Sequence, residues 1–172
     1  MSGTQRQGNR VLGSLMSEDG RTAVRMEDRF NTNIEDLWSA LTEPERLARW
    51  IADIDGDLRV GRTFQATFTS GWVGTGRIET CEPPQRLVVI TQQTGEASEC
   101  VIEARLTASE HQTVLVIEER GMPIEQLAGY GAGWQVHIED LAAHLAGHER
   151  CDIETRWDEL QPIYESLTRG KG

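Results

Sequence analysis

The chain has 172 residues, of which 38% are hydrophobic and 26% charged, and its formal net charge is −11. This balance is typical of one globular domain, and no stretch approaches the roughly 20 apolar residues of a membrane helix. The acidic surface disfavours nucleic-acid binding, because phosphate groups would be repelled over most of its area.

The amino terminus and the cysteines both predict a cytoplasmic protein. Residues 1–10, MSGTQRQGNR, are polar and lack the apolar core of a secretion signal. We expect residues 1–9 to form a flexible tail. Cys81, Cys100 and Cys151 include no CxxC pair, which is typical of isolated thiols in a reducing compartment.

The first third of the chain predicts two strands and two short helices. Residues 11–16 and 22–30 indicate strands, joined by a turn at Glu18-Asp19-Gly20. Asn31, Thr32 and Asn33 offer N-caps for a helix over residues 34–41, and Pro44 favours a second helix over residues 44–50.

The middle of the chain predicts an antiparallel sheet. Glycines and prolines separate segments of alternating polarity, which we place near residues 57–60, 63–69, 73–82, 86–92, 99–108 and 112–120. One face of this sheet is apolar and the other carries Arg, Glu and Thr, so one face must be covered.

Two further segments have helical periodicity. Tyr130, Trp134, Ile138, Leu141 and Leu145 lie within about 40° of one line on a helical wheel, so a long helix should begin after Pro123 and end near Gly147. This stripe is the best available cover for the sheet. Residues 153–167 form a last amphipathic segment, with an expected break near Pro162, which either packs over the sheet or mediates a homodimer. We therefore divide the chain into a tail, a domain over residues 10–149 and an extension over residues 150–172.

Three segments resemble a known family. They are DRFNTNIEDLWSALTEPERLARW (28–50), GRIETCEPPQRLVV (76–89) and GWQVHIEDLAAHLAG (133–147). Their order and spacing are similar to those of the heat shock protein 90 ATPase activator homologues, in the START-like, or Bet v 1-like, superfamily.

This resemblance implies an α+β helix-grip fold, in which an antiparallel sheet of six to seven strands curls around the carboxy-terminal helix. The space between helix and sheet is often a ligand cavity in such proteins. The chain departs from the family pattern at Thr91-Gln92, where an aromatic residue is common, and at Glu119, where histidine is common.

Several aromatic and apolar side chains should face the interior, where they could line a pocket or simply fill the core. The expected ligand-binding residues are Trp50, Phe64, Phe68, Trp72, Ile78, Val89, Leu106, Ile117, Glu119, Trp134, His137, Ile138 and Leu141.

Glu119 and His137 are the polar candidates among these residues. Glu119 alternates with Leu115 and Ile117, so its carboxylate should point at the long helix, where burial would raise its pKa. His137 lies about 60° from the centre of the apolar stripe and could pair with Glu119 or contact a ligand. The alternative is that both side chains reach solvent.

His144 and His148 stand one helical turn apart, which could suit a metal ion. No second cluster completes a coordination shell, so a solvated helix end explains the pair better, and we expect no metal or cofactor. No catalytic motif is present.

The leading hypothesis is a module that binds a hydrophobic or aromatic small molecule. The resemblance implies a second role, in which the chain contacts a heat-shock chaperone and stimulates its ATPase, but residues 1–20 leave no room for a separate chaperone-binding domain. A third hypothesis is a cyclase or dehydratase that uses Glu119 and His137 as base and acid.

Overall fold

The computed structural model describes residues 10–169, which form one antiparallel sheet and four α-helices. The predicted tail over residues 1–9 lies outside the described residues. The strands are β1 (Gly13–Glu18), β2 (Arg21–Phe30), β3 (Ala52–Gly56), β4 (Thr63–Phe68), β5 (Val73–Glu82), β6 (Arg86–Gln93), β7 (Cys100–Ser109) and β8 (Gln112–Arg120). The helices are α1 (Ile34–Thr42), α2 (Pro44–Trp50), α3 (Leu127–Leu145) and α4 (Ile153–Arg169).

The sheet has eight strands in the order β1-β2-β8-β7-β6-β5-β4-β3, and every neighbouring pair is antiparallel. This confirms the α+β helix-grip fold, although the strand count exceeds the six or seven expected. The predicted strand over residues 57–60 is wrong, because the pairing strand is β3. Asp57 and Leu58 belong to no strand, and Val60 makes only an isolated parallel bridge to Ile78. The Asp57 carboxylate accepts hydrogen bonds from the Arg59 guanidinium.

The two short helices begin where their caps predict. Asn33 accepts a hydrogen bond from the Asp36 backbone N–H at 2.8 Å, and Pro44 occupies the first turn of α2. The buried side chains Leu37 and Trp50 carry these helices into the main core, which confirms the predicted pair of helices after β2.

The long helix α3 lies against the concave face of the sheet and packs on α4, β2, β1 and α2. A short 3₁₀ turn over Ile124–Gln126 precedes it. Ile138 and Leu141 of this helix are buried in the main core together with Leu106 and Ile117 of the sheet. This arrangement confirms that the predicted apolar stripe covers the sheet.

The last helix is continuous, so the predicted break near Pro162 is wrong. Pro162 lies on the exposed side of α4, where the loss of its backbone N–H leaves an acceptor that water can reach. Leu160 and Tyr164 are fully buried and join the main core. The Arg156 guanidinium holds the Glu139 carboxylate of α3 at 2.7 Å. The helix therefore packs on α3 rather than standing apart from the domain.

None of the helices between residues 10 and 169 is both long and apolar enough to cross a lipid bilayer.

Truncation of Leu160 tests whether α4 belongs to the core. We expect Leu160→Ala to lower the free energy of unfolding by about 2–5 kcal/mol, because a fully buried leucine leaves a cavity. Urea unfolding followed by circular dichroism measures the change. Asp158→Ala on the exposed side of α4 is the control and should change stability by less than about 0.5 kcal/mol. Equal stability of the two variants would contradict the packing described here.

Candidate functional site

A cleft of about 540 Å³ lies between α3 and the concave face of the sheet. The side of α3 away from β1 and β2 forms one wall, and the ends of β4, β6, β7 and β8 form the other. The last helix closes part of the opening with Trp157 and Gln161. The cleft thus occupies the space between helix and sheet that the fold leaves unfilled.

Aromatic side chains form much of the cleft wall. They are Phe68, Trp72, Tyr130, Trp134 and Trp157. A tight turn joins β4 to β5, with the Phe68 N–H donating to the Trp72 carbonyl at 2.8 Å and Gly71 at a φ of 98°. This turn brings the rings of Phe68 and Trp72 to 5.0 Å in an edge-to-face arrangement.

The helical side of the cleft follows a single face of α3. Gly129, Tyr130, Gly133, Trp134 and His137 recur at spacings of three and four residues, so they point the same way. A Cβ at Gly129 would lie 3.5 Å from the Trp157 ring and one at Gly133 4.0 Å from it, so the glycines leave room for that indole. The recurrence of this spacing around Trp134 and His137 is the signal that could have found Tyr130 and both glycines from the sequence.

Glu119 is the buried acid of the cleft. It is 6% exposed, and it accepts a hydrogen bond from the Trp134 indole N–H at 2.6 Å. Burial raises its pKa to about 7, against the hydrogen bonds from Trp134 and Cys100, which lower it. Alternation along β8 therefore placed the carboxylate correctly, but Trp134 rather than His137 is its partner.

His137 is also buried, at 3% exposure, between the rings of Phe68 and Trp134. Burial lowers its pKa to about 4, opposed by a hydrogen bond to the Trp50 backbone. Its Nδ1 has no hydrogen-bond partner within residues 10–169. The imidazole is consequently neutral near pH 7, and its Nδ1 is buried.

Two more titratable groups, Cys100 and Tyr130, lie near Glu119, and neither was predicted from the sequence as part of the site. Burial and the Glu119 charge raise the pKa of the Cys100 thiol to about 12, and the same two causes raise that of the Tyr130 hydroxyl to about 12. Neither group is ionised near neutral pH, so both act as uncharged neighbours of the carboxyl.

The structure brings only part of the predicted set to this cleft, namely Phe68, Trp72, Glu119, Trp134 and His137. The remaining members pack elsewhere: Trp50, Leu106, Ile117, Ile138 and Leu141 in the main core, and Phe64, Ile78 and Val89 in a second apolar cluster. The Trp50 indole N–H donates to the Ala40 carbonyl at 2.9 Å, away from the cleft. Phe64 covers Gly76, where a Cβ would lie 2.3 Å from its ring.

These residues were expected at the cleft because they share its face of the sheet. Facing inward does not distinguish a side chain that meets α3 from one that meets the open space beside it. Sequence reasoning missed Ile102, Thr91, Gln93, Gln126 and Gln161 for the same reason, since each reaches the cleft only through the tertiary arrangement.

The two histidines near the end of α3 do not form a metal site. His144 accepts a hydrogen bond from Arg46 Nε at 3.1 Å, and His148 is exposed. Across the part of the chain that the structure describes, no group of three or more His, Cys, Asp or Glu side chains could hold a metal ion.

A family model and several solved structures match this chain. The model described as Activator of Hsp90 ATPase homolog 1-like protein matches residues 31–146. The crystal structure of CalU16 from Micromonospora echinospora has a TM-score of 0.74 at 24% identity, with 91% of this chain and 96% of that one covered. The solution structure of the same protein gives 0.75 at 22% identity, covering 93% and 94%.

A third similar structure is that of DynU16, a protein from the dynemicin biosynthetic locus. Its TM-score is 0.68 at 25% identity, and the match covers 74% of this chain and 48% of that one. None of the curated proteins compared with the chain matches it.

The elevated pKa of Glu119 predicts a specific pH dependence of stability. Its value is about 7 in the folded chain and 4.5 ordinarily, so the folded state holds the proton over that window while the unfolded state has released it. The free energy of unfolding therefore falls as pH rises between these values, by on the order of 3 kcal/mol from this group. Glu119→Gln should remove this part of the slope, measured by urea unfolding across the window.

Glu103→Gln on the adjacent strand is the matched control. Hydrogen bonding from Arg86 lowers the pKa of Glu103, so its stabilising effect is already complete above the ordinary value and is lost only as pH falls below it. This variant should keep the wild-type slope. Parallel stability curves for wild type and Glu119→Gln would show that the carboxyl is not buried as described.

Proposed function

This chain belongs to the family of Activator of Hsp90 ATPase homolog 1-like proteins, and we propose that within this family it is a binding domain for an aromatic or hydrophobic small molecule. The cleft between α3 and the sheet is the proposed binding site.

The cleft itself carries the proposal. Its volume of about 540 Å³ falls within the roughly 300–1,000 Å³ of small-molecule sites. Five aromatic side chains line it, and the Glu119 carboxylate is held in place by the Trp134 indole. Such a combination is typical of sites that stack on a flat ligand and orient it with few hydrogen bonds.

The similar structures support a small organic ligand. DynU16 comes from a biosynthetic locus, and it shares the fold of this chain over 74% of the chain's length. A small-molecule role for this chain is consistent with that setting and with the apolar cleft. The family description names an activator of the Hsp90 ATPase, so stimulation of a chaperone ATPase is the alternative function.

A narrowed cleft tests this proposal. At Gly133 an added Cβ would meet only the Trp157 indole nitrogen, at 4.0 Å, so Gly133→Ala should be tolerated and should stabilise α3 by about 0.5–1 kcal/mol. Gly133→Leu should project into the cleft and weaken binding of the neutral fluorescent probe N-phenyl-1-naphthylamine at least roughly tenfold. Fluorescence titration measures probe affinity for both variants, and urea unfolding measures the stability of Gly133→Ala.

Equal affinity of wild type and Gly133→Leu would place the probe outside this cleft. If neutral, cationic and anionic aromatic probes all fail to bind the wild-type protein, the small-molecule proposal is wrong. A rise in ATP turnover of an Hsp90 chaperone on addition of the same protein would then support the chaperone hypothesis instead.

A further inference from the structure

We infer that the ligand of this cleft is an organic cation, an ammonium group carried on an aromatic frame, and that Glu119 is its counterion. The inference rests on the proposed function, because it names the chemical class of ligand for the same cleft.

The first observation is the charge of the lining. Glu119 lies in the interior of the cleft and Glu125 stands exposed at its rim. No arginine or lysine within residues 10–169 lines the cleft, and His137 is neutral near pH 7. A carboxylate ligand such as a fatty acid would meet like charge and find no basic partner, whereas a cation would be attracted.

The second observation is that Glu119 lacks a basic partner of its own. Its hydrogen-bond donors are the Trp134 indole and the Cys100 thiol, and neither carries a positive charge. The neighbouring Arg120 bonds Glu118 and Glu103 on the other face of the sheet. Buried carboxylates in proteins are normally paired with a base, so Glu119 is a carboxylate whose missing partner a ligand cation can supply.

The third observation is the aromatic surroundings of this carboxylate. Trp72, Tyr130, Trp134 and Trp157 line the same cleft. The faces of such rings attract ammonium groups, most strongly when the cation is desolvated, and a tryptophan face attracts them best. The buried carboxylate can therefore pair with the ammonium charge of an aromatic ammonium ion, while the surrounding rings contact its aromatic frame.

The other groups that face Glu119 do not oppose a cation. Cys100 on β7 and Tyr130 on α3 are uncharged near neutral pH, since the pKa of each is about 12. The positive end of α3 lies at Leu127, and Trp134 follows about two turns later, beyond the first turn over which that partial charge acts. Glu96 lies near Tyr130 and adds further negative charge.

Three probes with the same aromatic group test the inference on the wild-type protein. They are the cation (1-naphthylmethyl)trimethylammonium, the alcohol 1-naphthalenemethanol and the carboxylate 1-naphthaleneacetate. Calorimetry measures their dissociation constants. We expect the ammonium ion to bind roughly tenfold to thirtyfold more tightly than the alcohol, and the carboxylate to bind most weakly. This comparison needs no variant, so it does not depend on the folding of a mutant.

Glu119→Gln then assigns the preference to one side chain. The amide keeps an oxygen for the Trp134 indole, so the variant should lose most of the difference in affinity between the ammonium probe and the alcohol. Glu18→Gln, at an exposed position of β1 that does not line the cleft, is the matched control and should bind all three probes like wild type. Affinity for the ammonium probe, whose charge is fixed, should also rise as pH rises through about 7, because the ionised carboxylate is the binding form.

The outcomes separate the two proposals. Binding of the alcohol or the carboxylate as tightly as the ammonium ion would overturn the inference and leave the small-molecule function standing. An ammonium preference that persists in Glu119→Gln would also overturn it, since another group would then be the counterion. Failure of all three probes to bind would contradict the proposed function itself.

Discussion

The packing of α4 and β1 against α3 at Gly131 fixes how the helix sits on one edge of the sheet. At Gly131 a Cβ would lie 2.7 Å from the Tyr164 ring and 3.0 Å from Leu15, so only glycine lets α4 and β1 approach the helix this closely. The Tyr164 hydroxyl accepts the Gly13 backbone N–H at 3.1 Å and bonds Gln135 on α3, which fixes the three elements together. Because the helix is anchored at this edge of the sheet, space remains between its other face and β6, β7 and β8.

The fold was largely predictable because its signals are local. Alternating polarity specified most strands to within a residue or two, and the caps at Asn33 and Pro44 specified the first two helices. The third strand escaped prediction because Ala52–Gly56 is only five residues long and contains two Asp and one Gly, which are depleted in strands, so it is recognised only by its pairing with β4. The break at Pro162 was wrong because proline on an exposed side costs a helix one hydrogen bond without disturbing its buried side.

The site was predictable only where one element determined a side chain's direction. Alternation along β8 placed Glu119, and helical spacing on α3 placed Trp134 and His137. Whether an inward side chain meets the core or the cleft depends on where α3 crosses the sheet, and no single segment encodes that crossing. Trp157 shows the same limit. It lies outside the matched family region, and its place at the cleft depends on a tertiary contact, in which its indole N–H donates to the Gly129 carbonyl at 3.2 Å.

Glu119 stands out because it is costly where it lies. Its neighbours along the same face of β8, Leu115 and Ile117, are buried apolar residues, and an apolar side chain at position 119 would continue their pattern without the loss of hydration that a carboxylate suffers. The indole of Trp134 offsets part of that loss with one hydrogen bond, yet burial still dominates the pKa of the group. Acids with strongly shifted pKa values concentrate at functional sites, where a bound ligand can supply the missing charge partner. An acid at position 119 is therefore explained by ligand binding in the cleft rather than by the stability of the fold.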